Sequence, residues 1–294
     1  MITKKNISKV YFSFLFFNLL IWTLIPSISN VNLPLDTIEA LAWGSNLDWG
    51  FNKHPPFSAL AVEVFYIIFG PNDWAYYLLS QIFVIIAFIY VWKLSNEIFE
   101  EKIYSLLSIF VLTGIYFYNF TTPEFNVNVC QLPFWAACVY YSWKIFDRKN
   151  LSFKDCFWLG VFAAIGFLSK YLFIYLLLAI DLLFFYVIFI KKYKKFDFKY
   201  LISLEIFVAL LVPHLIWLAN NDYVTLSYGL ARTGLENSSL LDHVLYPVIF
   251  LGKQATILIP FFIMSFFLVK KFKFKISFKD KNLLFLVFIN LVPI

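Results

Sequence analysis

Apolar residues in this chain run in long blocks, unlike the short alternations of strands or the one-sided stripes of soluble helices. A helix needs about 20 mostly apolar residues to cross the hydrocarbon core of a bilayer. Such blocks fall at roughly 11–29, 74–92, 103–119, 125–143, 156–169, 171–190, 200–219, 245–269 and 283–294. The 156–169 block is short, and the last is cut by the chain end. The pattern predicts an all-α polytopic membrane protein: one transmembrane domain over 1–294 with about nine spanning segments. The chain stops inside an apolar run at Ile294, as a fragment truncated at its C-terminus would.

The stretch Pro56 to Phe69 has only 14 residues and is interrupted by Glu63. It is too short to span and reads as an interfacial helix in a long first extracytoplasmic loop, about 30–73. Trp43, Trp49, Phe57, Phe65 and Trp74 suit that depth. The most polar stretch, 220–244, forms a second extracytoplasmic loop with Asn220, Asn221, Asp222, Arg232, Glu236, Asn237, Ser238 and Ser239. At the N-terminus, Lys4, Lys5 and Lys9 precede the apolar run from Tyr11 to Ile28. That run is longer than the core of a signal peptide, and Pro26-Ser27-Ile28-Ser29 is a poor cleavage site, so it reads as an uncleaved first span.

Composition agrees. Hydrophobic residues make up 62%, charged residues 14% and aromatics 22%, with 38 Phe. A soluble domain carries about a quarter charged residues, so lipid must solvate much of this chain. The net charge of +6 could suggest nucleic acid, but its placement argues otherwise. With the N-terminus in the cytoplasm and the blocks alternating, 20 of the 24 Lys and Arg fall on the cytoplasmic side. The outer side keeps Lys53, Lys170, Arg232 and Lys253. This is the positive-inside bias of a membrane protein, with no nucleic-acid partner. Cys130, Cys138 and Cys156 are an odd count inside apolar stretches, with neither a disulfide framework nor zinc spacing. They read as small buried apolar residues.

The polar groups on the outer side carry the candidate chemistry. Asp36 and Glu39 are three apart, so a helix starting there puts both on one face. The same spacing fits a capping box with Asp36 as N-cap, and spacing alone favours the cap. Lys53 and His54 precede Pro55 and Pro56; a cation and an imidazole there can hold a lipid phosphate, or Lys53 can simply snorkel. Glu124, in Thr121-Thr122-Pro123-Glu124-Phe125-Asn126-Val127-Asn128, lies at or just below the outer surface, where an acid is a functional candidate. Lys170 sits in a tight outer turn with no neighbouring acid in sequence, suited to an anionic headgroup or to snorkelling. Asp181 falls mid-span and Glu205 near the inner end of its span, each solitary.

In order, these pieces are Asp36 to Glu39, His54 to Pro56, Phe69-Gly70-Pro71-Asn72-Asp73-Trp74-Ala75, Thr122-Pro123-Glu124 and Gly166 to Tyr171. The arrangement resembles the dolichyl-phosphate-mannose protein mannosyltransferase superfamily over about residues 10–260. It is most similar to bacterial glycosyltransferase family 39 and aminoarabinose-transferase-like proteins. No single motif is specific; the order and the spacing relative to the spans are. The resemblance implies a GT-C fold in the cell membrane, the inner membrane of a bacterium, with the active site extracytoplasmic. Such enzymes move a sugar from a polyprenyl-phosphate carrier to a protein, lipid or glycan acceptor. By that likeness Asp36 is the catalytic acid of the first loop and Glu124 matches the second family acid, which is usually Asp. In the mechanism expected here Asp36 acts as the base, with Glu39 or Glu124 orienting it. The likeness also makes Lys170 and the His54 region carrier-phosphate ligands, and in the expected mechanism Lys53 or Arg232 joins them in stabilising the phosphate charge. Several relatives have Glu-Lys-Pro-Pro where this chain has Lys53-His54-Pro55-Pro56, so an acidic or metal role there does not transfer.

Direct attack with one base would invert the anomeric centre. Such chemistry requires no cofactor and no nucleotide, in keeping with the lack of a Gly-rich phosphate loop. It leaves room for a divalent metal, but no ligand set demands one. The alternative is a transporter or lipid-carrier flippase resting on Asp181, Glu205 and Lys170. Against it stand two long outer loops and acids clustered outside rather than at the midplane.

Overall fold

The structure, a computed structural model, describes residues 6–232, 239, 241–269 and 281–293. Lys4, Lys5, Glu236 to Ser238 of the second loop, and Lys270 to Lys279 lie outside the described residues. Among the described residues the chain is all-helical: α1 (Ile7–Ser29), α2 (Leu35–Gly44), α3 (Phe57–Phe69), α4 (Asp73–Ile98), α5 (Lys102–Leu112), α6 (Val127–Asp147), α7 (Phe153–Ser169), α8 (Ile174–Phe185), α9 (Tyr200–Asn220), α10 (Val224–Ala231), α11 (Asp242–Ile257), α12 (Ile259–Val269) and α13 (Lys281–Leu291).

Four helical stretches are long and apolar enough to cross a bilayer: Ile7–Ser29, Asp73–Ile98, Tyr171–Ile190 and Tyr200–Asn220. The third is α8 with a 3-10 turn before it and a π segment after it. A fifth is added if α11 and α12, bent by 49°, count as one span. The chain is therefore a multi-pass membrane protein, although not all nine expected blocks meet this test. α6 has the length but carries Asn128, Gln131, Lys144 and Asp147, and α7 has 17 residues. The 103–119 block does not form one straight helix. α5 has 11 residues, about 17 Å of rise. Thr113 Oγ1 donates to the Phe110 carbonyl at 2.6 Å, and Asn119 Nδ2 donates to the Thr113 carbonyl at 2.6 Å. These side chains satisfy the helix end and turn the backbone.

α6 lies at the centre, packed between α4 and α7; α4 in turn packs on α1, and α7 on α9. α7 approaches α9 closely at Gly160, where a Cβ would stand 2.5 Å from the Ser203 carbonyl oxygen. Cys130, Cys138 and Cys156 are buried and free. α1 turns Phe12, Phe16, Leu24 and Ile28 outward, as a helix facing lipid does. The carboxylate of Asp155, in the first turn of α7, is buried and accepts from Lys144 Nζ at 2.8 Å and Arg148 Nη1 at 2.6 Å. It thereby joins the end of α6 to the start of α7.

The stretch expected as an outer loop contains α2 and α3, packed on each other. At Gly44 a Cβ would lie 3.2 Å from the Ala59 carbonyl oxygen, so the absence of a side chain permits that approach. Of the second loop, α10 and the start of α11 are described.

Candidate active site

α2 starts at Leu35 after Pro34, and no side chain caps it. The capping expectation is therefore corrected: Asp36 lies inside the first turn, past the N-cap position. The first-turn N–H groups find other acceptors, those of Thr37 and Ile38 in the Pro34 carbonyl and that of Asp36 itself in Glu124, which leaves no capping task for the Asp36 carboxylate. The Asp36 N–H donates to Glu124 Oε1 at 3.2 Å. The Asp36 carboxylate accepts no hydrogen bond from the described residues and stands exposed beside the positive end of α2.

Glu39, one turn further on, pairs with Lys53 rather than with Asp36. This hydrogen bond raises the Lys53 ammonium above its ordinary value. The Phe51 N–H donates to the His54 carbonyl at 3.1 Å, closing a turn that delivers His54 beside Trp43, edge-on at 5.7 Å. Asp36, Glu39 and His54 line one small pocket with Ser58 and Asn126. The Ser58 hydroxyl is buried and has no hydrogen-bond partner among the described residues.

The segment after α5 reaches the same place. Thr37 Oγ1 donates to the Phe125 carbonyl at 3.2 Å, fastening α2 to it. Asn126 Oδ1 caps α6, accepting from the N–H groups of Asn128 at 3.0 Å and Val129 at 3.1 Å. Lys170 Nζ donates to Asn128 Oδ1. The turn after Lys170 folds back on α7 because Gly166 has no side chain; a Cβ there would sit 2.3 Å from the Phe173 ring. Burial lowers the Lys170 ammonium from its ordinary value, and its partner is a neutral amide.

Burial also lowers the His54 imidazole, while the charges of Glu39, Lys170, Asp36 and Lys53 all act on it. Asp36 and Glu39 of α2 thus share a pocket with His54 and Asn126, and Lys170 is tied to Asn128, two residues beyond Asn126. Arg232, at the end of α10, rests over the Tyr228 ring at 5.8 Å, and its charge acts on Lys53. Asp181 and Glu205 do not join the cluster; Asp181 lines a separate cavity with Ile180 and Phe184. Among the described residues no group of three or more His, Cys, Asp or Glu is placed to hold a metal ion.

Sequence reasoning missed His214. It is buried in α9; its Nδ1 is 2.5 Å from the Trp49 carbonyl oxygen and its Nε2 is 2.6 Å from the Tyr171 hydroxyl. The carbonyl can only accept, so Nδ1 carries a proton. Trp217 Nε1 donates to Asp48 at 2.7 Å, and Thr225 Oγ1 donates to the Phe51 carbonyl at 2.6 Å. Three bonds from α9 and α10 thus hold the loop that carries Lys53 and His54. A histidine inside an apolar span was the available signal.

His54 gives a pH prediction. Its folded value lies below the ordinary 6.5, so the folded state takes up a proton less readily than the unfolded chain. Its contribution to stability is full above about pH 6.5 and is lost as pH falls below that value. Thermal unfolding in detergent should show the midpoint dropping from about pH 7.5 to about pH 5.5. His54→Gln should flatten part of the drop, and an unchanged drop would remove His54 as a cause.

The family model described as dolichyl-phosphate-mannose-protein mannosyltransferase matches residues 53–217. The match includes Lys53, His54, Glu124 and Lys170 and starts after Asp36 and Glu39. No curated protein and no solved structure matches the chain. The matched segment is more than half of the sequence and runs from the loop that delivers His54 to the helix that fastens it. The chain belongs to the dolichyl-phosphate-mannose-protein mannosyltransferase family, a family of membrane glycosyltransferases.

Proposed function

We propose that the chain transfers a sugar from a polyprenyl-phosphate carrier to a hydroxyl or amine of a lipid, glycan or protein on the extracytoplasmic face of the membrane. The single observation that carries this is the meeting of Asp36, Glu124 and His54 with the half-buried Lys170. Asp36 and His54 line a pocket with Asn126, which caps α6, and Lys170 bonds Asn128 in the first turn of that same helix. Among the described residues the Asp36 carboxylate accepts no hydrogen bond, and the Lys170 ammonium has an amide oxygen as its partner.

Asp36 takes the acceptor proton as the acceptor oxygen or nitrogen bonds to the anomeric carbon. The bond from that carbon to the phosphate oxygen breaks, and its electron pair leaves on the carrier phosphate. Lys170, with His54 and Arg232, stabilises the departing charge. An anionic phosphate also gives the desolvated Lys170 ammonium the charged partner it lacks. Lys53, neutralised by Glu39, serves the phosphate less directly; Glu124 holds the start of α2 and so positions Asp36. Back-side attack with one base inverts the sugar. The segment that brings His54 and Ser58 to the pocket also borders, through Pro56 and Phe57, a mainly apolar groove of about 350 Å³ with Asp48, Trp49, Leu60 and Leu168, which suits the first isoprene units.

The test uses membranes holding the full chain and a polyprenyl phosphate carrying a labelled sugar. Label should leave the donor only where the chain is present. Lys170→Met should raise the donor KM by about tenfold or more, since a charge-assisted contact to phosphate is lost. A donor left intact across sugars and acceptors would end the proposal.

A further inference from the structure

At the other end of α6, about 30 Å from the acid and lysine site along the helix, lies a second polar chamber. It is a cavity of about 670 Å³ formed where the end of α6, the segment between the π turn and α9, and the start of α13 come together. Arg148, Lys149, Lys194, Lys195, Lys199 and Lys281 line it, against two carboxylates, Asp147 and Asp197. A bias of cations toward one face of the membrane requires only that they lie on that face. It does not require three separate stretches of sequence to converge on one concavity.

Much of that charge is already committed. Lys281 pairs with Asp147, Lys199 lies 3.8 Å from Asp197, and Lys194 donates to the carbonyls of Ile145 and Arg148, closing the end of α6. Arg148 binds Asp155. Lys149 and Lys195 have no hydrogen-bond or ion-pair partner among the described residues, and both face the cavity. Phe146, Tyr193 and Phe196 give it an apolar wall. Uncommitted ammonium groups beside an apolar wall at a helix-bundle end suit a phosphate group that carries an apolar tail.

We propose that this cavity binds a phosphate-bearing anion, through Lys149 and Lys195, at a site separate from the sugar-transfer pocket. The phosphate comes either from the headgroup of an anionic membrane lipid or from a free phosphate compound.

The test titrates the full chain in neutral detergent with short-chain phosphatidylglycerol, phosphatidylcholine of the same chain length, and inorganic phosphate at constant ionic strength. The thermal midpoint reports binding. Phosphatidylglycerol should raise the midpoint and phosphatidylcholine should not. The doubly substituted Lys149→Gln, Lys195→Gln chain should bind about a hundredfold more weakly, roughly tenfold per lysine contact. Both lysines are unpaired, so the variant should fold. Lys93→Gln with Lys102→Gln, cations outside the cavity, should bind as the parent does. A response to inorganic phosphate with the same lysine dependence, and none to phosphatidylglycerol, would identify a free phosphate compound as the ligand. Equal binding by the cavity variant, equal loss in the Lys93 and Lys102 control, or no response to either phosphate source would overturn the proposal.

Discussion

Asp36→Asn is expected to lower kcat for sugar transfer by about a hundredfold to ten-thousandfold, the usual contribution of a positioned general base. The amide has nearly the shape of the carboxylate but cannot take the acceptor proton. The fold should survive, because the carboxylate is exposed and accepts no hydrogen bond from the described residues; the bond to Glu124 comes from the Asp36 main chain. The thermal midpoint in detergent should therefore stay near that of the parent, and the donor KM should change little. Asp181→Asn is the control, since its side chain lies in a separate apolar cavity. Full activity in the Asp36 variant would remove it from the role of base. Loss at Asp181 with tolerance at Asp36 would favour transport over transfer.

Asp155→Ala is expected to cost about 3 kcal/mol of stability, with little direct effect on the chemistry. Removing one member of a buried ion pair typically costs about 3–5 kcal/mol, because the partner charge is left desolvated. Here Lys144 is the stranded charge, at 17% exposure, whereas Arg148, at 48%, can turn to water. The effect therefore falls at the lower end. Denaturant or thermal unfolding in detergent measures it. An additional Lys144→Met substitution should recover part of the loss, since the stranded ammonium is then gone. A midpoint unchanged by Asp155→Ala would show that the cluster is solvated and contributes nothing.

Block hydropathy was enough to locate α1, α4, α9 and the Tyr171–Ile190 stretch, since each is one continuous apolar run long enough to be read without knowledge of its neighbours. The same logic failed at α5, where Thr113 and Asn119 end the helix through side-chain bonds that no hydropathy average registers. Spacing also misjudged Asp36. It compared Asp36 with Glu39, three residues away, whereas the group that meets it is Glu124, 88 residues away. Charge and residue type singled out His54, Glu124 and Lys170, because an ionisable group beside lipid needs a reason to be there. Asn128 and Ser58 escaped notice because neutral side chains gain a role only through what the fold sets against them. The pairing of Glu39 with Lys53 was equally hidden, being a matter of rotamer and loop closure.

The bonds from His214, Trp217 and Thr225 to the first loop span 165 to 174 residues of sequence. They set an order of events during synthesis. Asp36, Lys53 and His54 leave the ribosome early and enter the bilayer with neither α9 nor α10 yet made. The residues proposed to act on the sugar donor are therefore made long before the helices that bond their loop. The three bonds that fix this loop can form only once α9 and α10 have been made, so the most N-terminal part of the pocket is completed from much further along the chain.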